Sequence, residues 1–330
     1  ARVSEITLAE KQMVLIARAM VEHCHFLILD EPTAPLSNTE TQSFFKVVRN
    51  IVQTENVGVV FISHRLAELF EICEHITIMR EGTVVQDMDI TPDLTINTIV
   101  EHMLGRKFEE TYPKQDVEIG DTLFEVNNLT ERESRVSGID LHVKEGEIVG
   151  IAGLVGAGKT ELCKTLFGAY RTSGGEMRLK GKKIQPKNPS HAVGAGLALV
   201  PEERRKEGVL VTDSLYANVT IAALDKFVIK PGFVSKLRQK KSARKTIEDL
   251  GIKTPSECQT VALLSGGNQQ KVVIGKWLTS DADVYIFDEP TKGVDIGAKH
   301  DIFELISGLA QNGKGILYAS CEFSEILGIS

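Results

Sequence analysis

A repeated segment constrains the fold more than any other feature of this sequence. Residues 26–33 read Phe-Leu-Ile-Leu-Asp-Glu-Pro-Thr, and residues 284–291 read Val-Tyr-Ile-Phe-Asp-Glu-Pro-Thr. Each copy is an apolar run that ends in two carboxylates, and a segment with helical spacing precedes each copy at the same offset. Four consecutive apolar residues predict a strand buried on both faces, as in a parallel sheet. We therefore expect the same α/β arrangement twice in the chain.

A glycine-rich loop precedes the second copy of the repeat. Residues 153–160 match the pattern GxxxxGK[ST] and lie between an apolar strand and a segment with helical spacing. Glycines let such a loop point backbone N–H groups at phosphate oxygens, and the N-terminus of the next helix favours negative charge. We predict that Lys159 contacts the β- and γ-phosphates and that Thr160 binds Mg²⁺; a glycine-rich turn ahead of a packed helix is the alternative. The predicted nucleotide-binding residues here are Gly153, Leu154, Val155, Gly156, Ala157, Gly158, Lys159, Thr160 and Glu161.

The carboxylate pair that ends each repeated strand is a candidate catalytic feature. Asp288 is expected at the carboxyl end of its strand, where α/β sheets bind their ligands, and we predict that it holds Mg²⁺ through water. Glu289 follows it and is placed to polarise an attacking water molecule as general base. Taken alone, an Asp-Glu-Pro segment serves equally well as a turn or a helix cap. The glycine-rich loop upstream favours the catalytic interpretation for this copy.

A second glycine-containing motif lies between the loop and the second repeated strand. Residues 264–271 read Leu-Ser-Gly-Gly-Asn-Gln-Gln-Lys and precede a helical run, so the motif predicts a helix N-terminus able to bind phosphate. LSGGxxxK ahead of such a strand resembles the signature motif of ABC ATPases. The resemblance implies that this helix faces the γ-phosphate held by another cassette, so that two cassettes bind two ATP molecules head to tail. The residues it implicates are Ser265, Gly266, Gly267 and Asn268.

Three further segments make the resemblance specific to one group of ABC ATPases. Residues 150–156, 200–208 and 293–299 resemble the second cassette of fused sugar-importer ATPases that serve ribose, galactose or xylose systems. The resemblance covers essentially the whole chain. It implies an α/β fold of the P-loop NTPase ABC cassette type, with a RecA-like core, a small antiparallel β layer and a helical subdomain. One copy is expected to be partial and the other nearly complete.

The position of the single glycine-rich loop predicts the domain organisation. The chain begins just before the helix of the first copy, so that copy has no loop of its own. We expect residues 1–107 to be the C-terminal part of a first cassette, 108–121 a linker, and 122–330 a nearly complete second cassette. In this interpretation the front of the first cassette and the end of the second are missing. A natural protein with one site and a relic of another is the alternative.

The sequence departs from the ABC pattern at three places. Glu202 stands where most cassettes have a glutamine that senses Mg²⁺ and the γ-phosphate. We nevertheless predict that Glu202 contacts the nucleotide and Mg²⁺. The histidine that stabilises the γ-phosphate corresponds to His64 in the first copy, but to Cys321 in the second. The first signature is also altered, because residues 7–10 read Thr-Leu-Ala-Glu.

These departures predict two unequal composite sites. The competent site would combine an absent first loop, Asp30, the catalytic residues Glu31 and His64, and the signature 265–267. The other would combine Lys159, Thr160, Asp288 and Glu289 with the altered first signature, and it lacks the histidine. We expect this second site to bind ATP but to hydrolyse it weakly.

Composition excludes several other classes of protein. A net charge of −7 disfavours broad non-specific binding to nucleic acid, although residues 236–245 can form a local basic patch. The five cysteines are scattered and form no CxxC pair, so neither a disulfide framework nor a zinc ribbon is indicated. No apolar run approaches the roughly 18 residues of a membrane span, and residues 1–11 do not resemble a signal peptide.

The resemblance implies a function and partners. It implies an ATPase motor that uses ATP and Mg²⁺ to drive monosaccharide import, together with membrane permease subunits and a periplasmic or extracellular sugar-binding protein. The subunit would lie on the cytoplasmic face of the membrane and bind no nucleic acid. A soluble twin-cassette translation or repair factor and a catalytically weak nucleotide-sensing module are the alternatives.

Overall fold

The computed structural model describes residues 3, 6–21, 24–33, 36–63, 65–80, 82–105, 117–133, 135–154 and 156–330. The chain divides into two compact units, 1–108 and 109–330. Of the predicted linker, residues 108–116 lie outside the described residues, and residues 117–121 lead into a strand that begins at Thr122. In the described part of the chain, no helix is long and apolar enough to cross a membrane.

The first unit alternates helices and strands. Its elements are α1 (Leu8–Val21), β1 (Phe26–Asp30), α2 (Asn38–Glu55), β2 (Gly58–Ile62), α3 (Leu66–Ile72), β3 (His75–Arg80), β4 (Thr83–Asp89) and α4 (Ile96–Leu104). Strands β1 and β2 are parallel, with Asp30 opposite Ile62, whereas β3 and β4 form an antiparallel pair. Two fully buried phenylalanines of α2, Phe44 and Phe45, belong to the same apolar core as the inward side chains of β1.

Local sequence signals explain where α2 begins and ends. The Ser37 hydroxyl accepts a hydrogen bond from the backbone N–H of Glu40, whose carboxylate accepts one from the Ser37 N–H in return. This capping box satisfies two backbone donors at the start of the helix. Asn56 ends the helix in the left-handed conformation, with a φ of 54°, which asparagine tolerates better than most residues.

The second unit is larger and has two sheets. Its elements are β5 (Thr122–Glu131), β6 (Ile139–Lys144), β7 (Ile148–Ala152), α5 (Lys159–Leu166), β8 (Thr172–Leu179), β9 (Lys182–Ile184), α6 (Pro189–Ala195), β10 (Leu197–Val200), α7 (Leu215–Thr220), β11 (Val228–Lys230), β12 (Phe233–Val234), α8 (Lys236–Asp249), α9 (Gly266–Ser280), β13 (Val284–Asp288), α10 (Ile296–Gln311), β14 (Gly315–Ser320) and α11 (Phe323–Ile329). A π-helical turn at Arg204–Gly208 and 3₁₀ segments at Ile221–Phe227 and Val261–Leu263 lie between them.

The central sheet of this unit is parallel. Its strand order is β10-β13-β14-β7, and all three pairings are parallel. Every residue of β13 is buried, as expected for an apolar strand covered on both faces. Strand β13 lies inside the sheet. Asp288 is its last residue and therefore lies at the carboxyl edge of the sheet.

A separate antiparallel sheet and a group of helices complete the second unit. The sheet has the order β6-β5-β8-β9, and the pairing of β5 with β6 places Val126 opposite Leu141. The predicted antiparallel β layer is therefore present. Helix α7 packs against α8 and α9, which forms a helical region within the interval between the glycine-rich loop and β13.

The repeated segments have the same backbone structure in both units. Glu31 and Glu289 each follow a parallel strand and each have a φ of 47°. The backbone N–H of Glu31 donates to the Ile62 carbonyl, and that of Glu289 donates to the Ala319 carbonyl, both at 2.9 Å. The positive φ turns the chain sharply at the strand end while the neighbouring strand holds it in place.

A buried carboxylate supports this turn in each unit. In the first unit, Thr33 Oγ1 and Ser63 Oγ donate to Glu68 Oε2 at 2.5 and 3.3 Å. The corresponding residues of the second unit are Thr291, Ser320 and Glu325. The two copies therefore share a polar network as well as a strand.

Candidate nucleotide-binding site

The glycine-rich loop connects β7 to α5. Gly156 and Gly158 have φ values of 83° and 91°, a region in which a residue with a Cβ atom is strained. Gly158 also lies at the N-terminus of α5. The backbone therefore adopts the turn that the sequence pattern predicted, and the helix N-terminus opens onto the loop. Val155 lies outside the described residues.

Lys159 is held inside the loop by oxygen atoms. Its Nζ donates to the carbonyl oxygens of Gly153 at 2.6 Å and of Leu154 at 3.1 Å, and it lies 3.4 Å from Glu289 Oε1. Both charged side chains are buried, each with 8% of the residue exposed. A buried ammonium that donates to neutral carbonyl oxygens can exchange them for phosphate oxygens, which carry more negative charge.

Thr160 joins two carboxylates from distant parts of the chain. Its Oγ1 lies 3.1 Å from Asp288 Oδ1 and 3.2 Å from Glu202 Oε2. Asp288 is fully buried, and within the described residues its Oδ2 has no hydrogen-bond partner. This set of oxygen donors, with one buried oxygen left unsatisfied, fits the ligand preference of Mg²⁺.

The environment of Asp288 disfavours its ionised form. Burial, followed by repulsion from Glu202 and Glu289, raises the pKa of Asp288 to about 6, against the opposing hydrogen bond from Thr160. Two further carboxylates so near a buried one concentrate negative charge at the edge of the sheet. A divalent cation would relieve this repulsion.

Glu202 is paired with a lysine that the sequence analysis did not identify. Lys292 Nζ lies 2.5 Å from Glu202 Oε1, and this hydrogen bond is the main cause of the lowered pKa of Glu202. Lys292 lies three residues beyond Glu289, in the loop after β13. The sequence carries no signal for this pair, because no periodic pattern links two positions 90 residues apart.

Cys321 lies next to Glu289. It directly follows β14, and its thiol lies close enough to the Glu289 carboxylate to interact with its charge. Partial burial, followed by the charge of Glu289, raises the pKa of the Cys321 thiol. The protonated thiol is a weak hydrogen-bond donor.

The signature residues begin helix α9. The Ser265 hydroxyl is the N-cap and lies 2.8 Å from Asn268 Nδ2. Packing also explains the two glycines. A Cβ atom at Gly266 would lie 2.7 Å from a guanidinium nitrogen of Arg204, and one at Gly267 would lie 2.7 Å from the Ala298 Cβ.

Arg204 is a further residue that the sequence analysis missed. Its guanidinium donates to the carbonyl oxygens of Lys292 at 2.9 Å and of Gly293 at 3.1 Å. It therefore joins the π-helical turn Arg204–Gly208 to the loop after β13, beside Gly266 at the start of α9. Burial lowers the pKa of Arg204.

The remaining predicted site residues are distributed over both units. Glu161 lies in the first turn of α5, and the Leu154 side chain is exposed. Glu31 follows β1 in the first unit. His64 lies outside the described residues, so its pairing with Glu31 stays a prediction. At the altered first signature, the Thr7 hydroxyl accepts a hydrogen bond from the Glu10 N–H and caps α1, and the Glu10 carboxylate accepts from the Thr7 N–H in return.

Comparison with known proteins agrees with this geometry. A family model described as ABC transporter matches residues 136–292. Ribose import ATP-binding protein RbsA of Clostridium tetani is 39% identical over 326 residues, which cover 99% of this chain and 64% of that protein. RbsA 1 of Rubrobacter xylanophilus is 42% identical over 330 residues, covering 100% and 65%. Galactose/methyl galactoside import ATP-binding protein MglA of Clostridium perfringens is 38% identical over 328 residues, covering 99% and 63%. The chain thus spans less than two thirds of the length of these relatives.

Solved structures show the same fold. A nucleotide-free ATP-binding cassette from an ABC transporter has a TM-score of 0.52 and 21% identity, covering 63% of this chain and 85% of that one. The dimeric bacterial ABC transporter cassette MJ0796 has a TM-score of 0.54 and 19% identity, covering 62% and 91%. The P-loop and the central parallel sheet are those of an ATP-binding cassette, and residues 136–292 of this chain match the ABC transporter family.

Proposed function

We propose that this chain is part of an ATP-hydrolysing motor subunit of an ABC importer for a monosaccharide, and that it binds Mg-ATP at the loop 153–160. The observation that carries the proposal is the convergence of five side chains from three separate segments on this loop. They are Lys159, Thr160, Glu202, Asp288 and Glu289. A glycine loop without these partners would be only a turn.

The phosphates would replace the oxygen atoms that now surround Lys159. The Nζ atom would move from the carbonyls of Gly153 and Leu154 to the β- and γ-phosphates, and the N–H groups at the start of α5 would complete the cradle. Gly153, Gly156, Ala157 and Gly158 would contribute backbone contacts. Release of Lys159 would also free the Glu289 carboxylate for chemistry.

Three residues would hold Mg²⁺: Thr160, Asp288 and Glu202. Mg²⁺ keeps several waters and is bound by one or two carboxylates together with substrate phosphates, and the two carboxylates here match that requirement. When bound, the ion would neutralise charge on the phosphate oxygens. In this protein a glutamate rather than a glutamine would approach the metal, with its charge balanced by Lys292.

Glu289 would act as general base. Its backbone is fixed by the hydrogen bond to Ala319, which aims the carboxylate into the site. A water between this carboxylate and the γ-phosphate would lose its proton to Glu289 as it attacks. Cys321 would support the reaction less well than a histidine, so we expect slow hydrolysis at this site.

A complete catalytic centre would need a second cassette. Ser265, Gly266, Gly267 and Asn268 would face the phosphates held by another cassette, as the resemblance implies. Glu31 and His64 would serve the other composite site. The partners would be membrane permease subunits and a sugar-binding protein, with the motor on the cytoplasmic face of the membrane. The names of the relatives, which print ribose and galactose import, support a monosaccharide as cargo.

The test is equilibrium binding of Mg-ATP and steady-state hydrolysis on this chain. Lys159→Ala is expected to abolish binding of Mg-ATP. Lys187→Ala serves as the matched control, because Lys187 is exposed and follows β9, and this variant should bind Mg-ATP normally. Slow, Lys159-dependent turnover supports the proposal. Binding that persists in Lys159→Ala would contradict it, and binding without any turnover in a single-turnover assay would favour a nucleotide-sensing module.

A further inference from the structure

One segment of the second unit carries a strong local charge. Residues 226–247 contain eight lysines and arginines and no aspartate or glutamate, in a chain whose net charge is −7. The segment covers the hairpin β11–β12 and most of α8. None of its side chains contributes to the nucleotide-site contacts described above. Such a concentration of positive charge creates a local potential that favours an anionic partner.

The hairpin also exposes apolar side chains. Every residue from 228 to 234 is exposed, so the hairpin projects from the unit around its Pro231-Gly232 turn. Ile229 and Phe233 are 62% and 59% exposed. A two-stranded hairpin gains little stability by itself, and apolar side chains at its projecting end mark an interaction surface.

Helix α8 continues the same surface. Gln239 and Ala243 are its buried residues, and helical spacing puts Leu237, Lys241 and Arg244 on the opposite face. Leu237 is 81% exposed. The outward face of the helix therefore combines an aliphatic side chain with basic ones, as the hairpin does.

Several of the cations have no carboxylate partner among the residues that the structure describes. Arg244 pairs with Glu257 at 2.9 Å, and Lys245 lies 3.9 Å from Asp249. For Lys236, Arg238 and Lys241, no carboxylate of the described residues lies within ion-pair distance, and all three side chains are exposed. Their charge is therefore available to an external anion.

We propose that this basic hairpin surface, made of Ile229, Lys230, Phe233, Lys236, Leu237, Arg238 and Lys241, binds anionic phospholipid headgroups. Aliphatic and aromatic side chains flanked by lysines and arginines are the chemistry of interfacial membrane binding. Each basic residue near an anionic leaflet contributes attraction, and the apolar side chains enter the headgroup region.

The shape and composition of the surface favour lipid over other polyanions. A projecting hairpin with exposed apolar side chains can enter a deformable lipid surface. Single-stranded nucleic acid is bound through several stacking aromatic side chains, whereas the proposed surface has one, Phe233. The proposal goes beyond the function proposed above, because lipid binding at this surface needs neither ATP nor a permease.

Vesicle co-sedimentation of the full chain tests the proposal. Vesicles of phosphatidylcholine alone are compared with vesicles in which about one third of the lipid is phosphatidylglycerol. Binding is expected only to the anionic vesicles and is expected to weaken at high salt. The triple variant Lys236→Gln, Arg238→Gln, Lys241→Gln should bind at least about 10-fold more weakly, and Phe233→Ser with Leu237→Ser should also lose binding.

A matched control separates this surface from general charge effects. Three exposed lysines elsewhere in the unit, changed as Lys182→Gln, Lys183→Gln and Lys187→Gln, remove the same charge and should leave vesicle binding unchanged. All variants should keep the wild-type Mg-ATP affinity, which also distinguishes this proposal from the nucleotide-binding one. Equal binding to both kinds of vesicle, equal loss in the control, or binding to RNA but not to vesicles would overturn the proposal.

Discussion

Lys292 Nζ lies 2.5 Å from one oxygen of the Glu202 carboxylate, and the other oxygen of that carboxylate lies 3.2 Å from Thr160 Oγ1. A lysine outside the phosphate loop is thus connected to the proposed Mg²⁺ ligands through one side chain. The positive charge of Lys292 balances the negative charge of Glu202, which stands where most cassettes have an uncharged glutamine. Without Lys292, the carboxylate would add negative charge where a polyanionic nucleotide is proposed to bind.

Lys292→Met is therefore expected to weaken Mg-ATP binding by roughly 5-fold, since a partly exposed ion pair contributes up to about 1 kcal/mol. In a Glu202→Gln background the same change should have little effect, because no charge is left to compensate. Calorimetric titration of the wild type, both single variants and the double variant measures the coupling. Equal losses in both backgrounds would show that Lys292 acts independently of Glu202.

The cysteine beside Glu289 predicts a gain of activity. Cys321→His should raise steady-state hydrolysis at least about 10-fold, because an imidazole N–H is a stronger donor to a developing phosphate charge than a thiol. Mg-ATP affinity should change little. The gain should disappear when Glu289→Gln is added, and a gain that survives that change would mean that Glu289 is not the base.

Glu325 is expected to dominate the stability of the turn after β13. Its carboxylate, 1% exposed, accepts hydrogen bonds from Thr291, Tyr318 and Ser320 and pairs with Lys299. Glu325→Ala leaves these buried donors without an acceptor and should lower the free energy of unfolding by about 3–5 kcal/mol. Glu322→Ala, which removes an exposed partner of the same lysine, should cost less than about 1 kcal/mol. Urea unfolding of both variants measures the two losses in unfolding free energy. Losses of similar size would contradict the dominant role of Glu325 in the stability of this turn.

Lys276 predicts a pH-dependent stability. Burial lowers its pKa to about 8, and its Nζ donates to the Gly208 carbonyl at 2.7 Å. Because the pKa is depressed on folding, the unfolded chain binds more protons below pH 10, so this group opposes folding at neutral pH and the penalty shrinks as pH rises.

The difference in unfolding free energy between the wild type and Lys276→Met should therefore shift by roughly 2 kcal/mol in favour of the wild type between about pH 7 and about pH 9.5. Urea unfolding at the two pH values measures it. The lost hydrogen bond to Gly208 is the same at both and cancels in the comparison. A difference that does not change with pH would mean that Lys276 titrates normally in the folded protein.

The sequence predicts those parts of the site that follow from local pattern. The strand β13, the glycine loop and the helix after it each have a signature of composition or spacing, and the structure has all three. The repeat also aligns Cys321 with the position of His64, because the strands before them correspond. These features depend on residues close together in the chain, where pattern and geometry are directly related.

The contacts that sequence analysis missed join distant segments. Glu202 and Lys292 come from different loops, and Arg204 reaches the carbonyls after β13 across a similar interval. Nothing in the spacing of such residues indicates that the fold will bring them together. Gly266 and Gly267 show a related difficulty. The motif suggests phosphate binding, but a Cβ atom at Gly267 would also collide with the Ala298 Cβ, and one at Gly266 would displace the Arg204 guanidinium.

The matching buried carboxylates, Glu68 and Glu325, have a consequence for how the two copies of the repeated segment can diverge. Each copy supports its turn with a threonine and a serine bound to one glutamate, although the residue after that serine is a histidine in one copy and a cysteine in the other. The three residues that support the turn are thus different from the residue whose identity changes between the copies. A repeat built in this way can change its chemistry by a single substitution after the serine while the threonine, serine and glutamate that support the turn are kept.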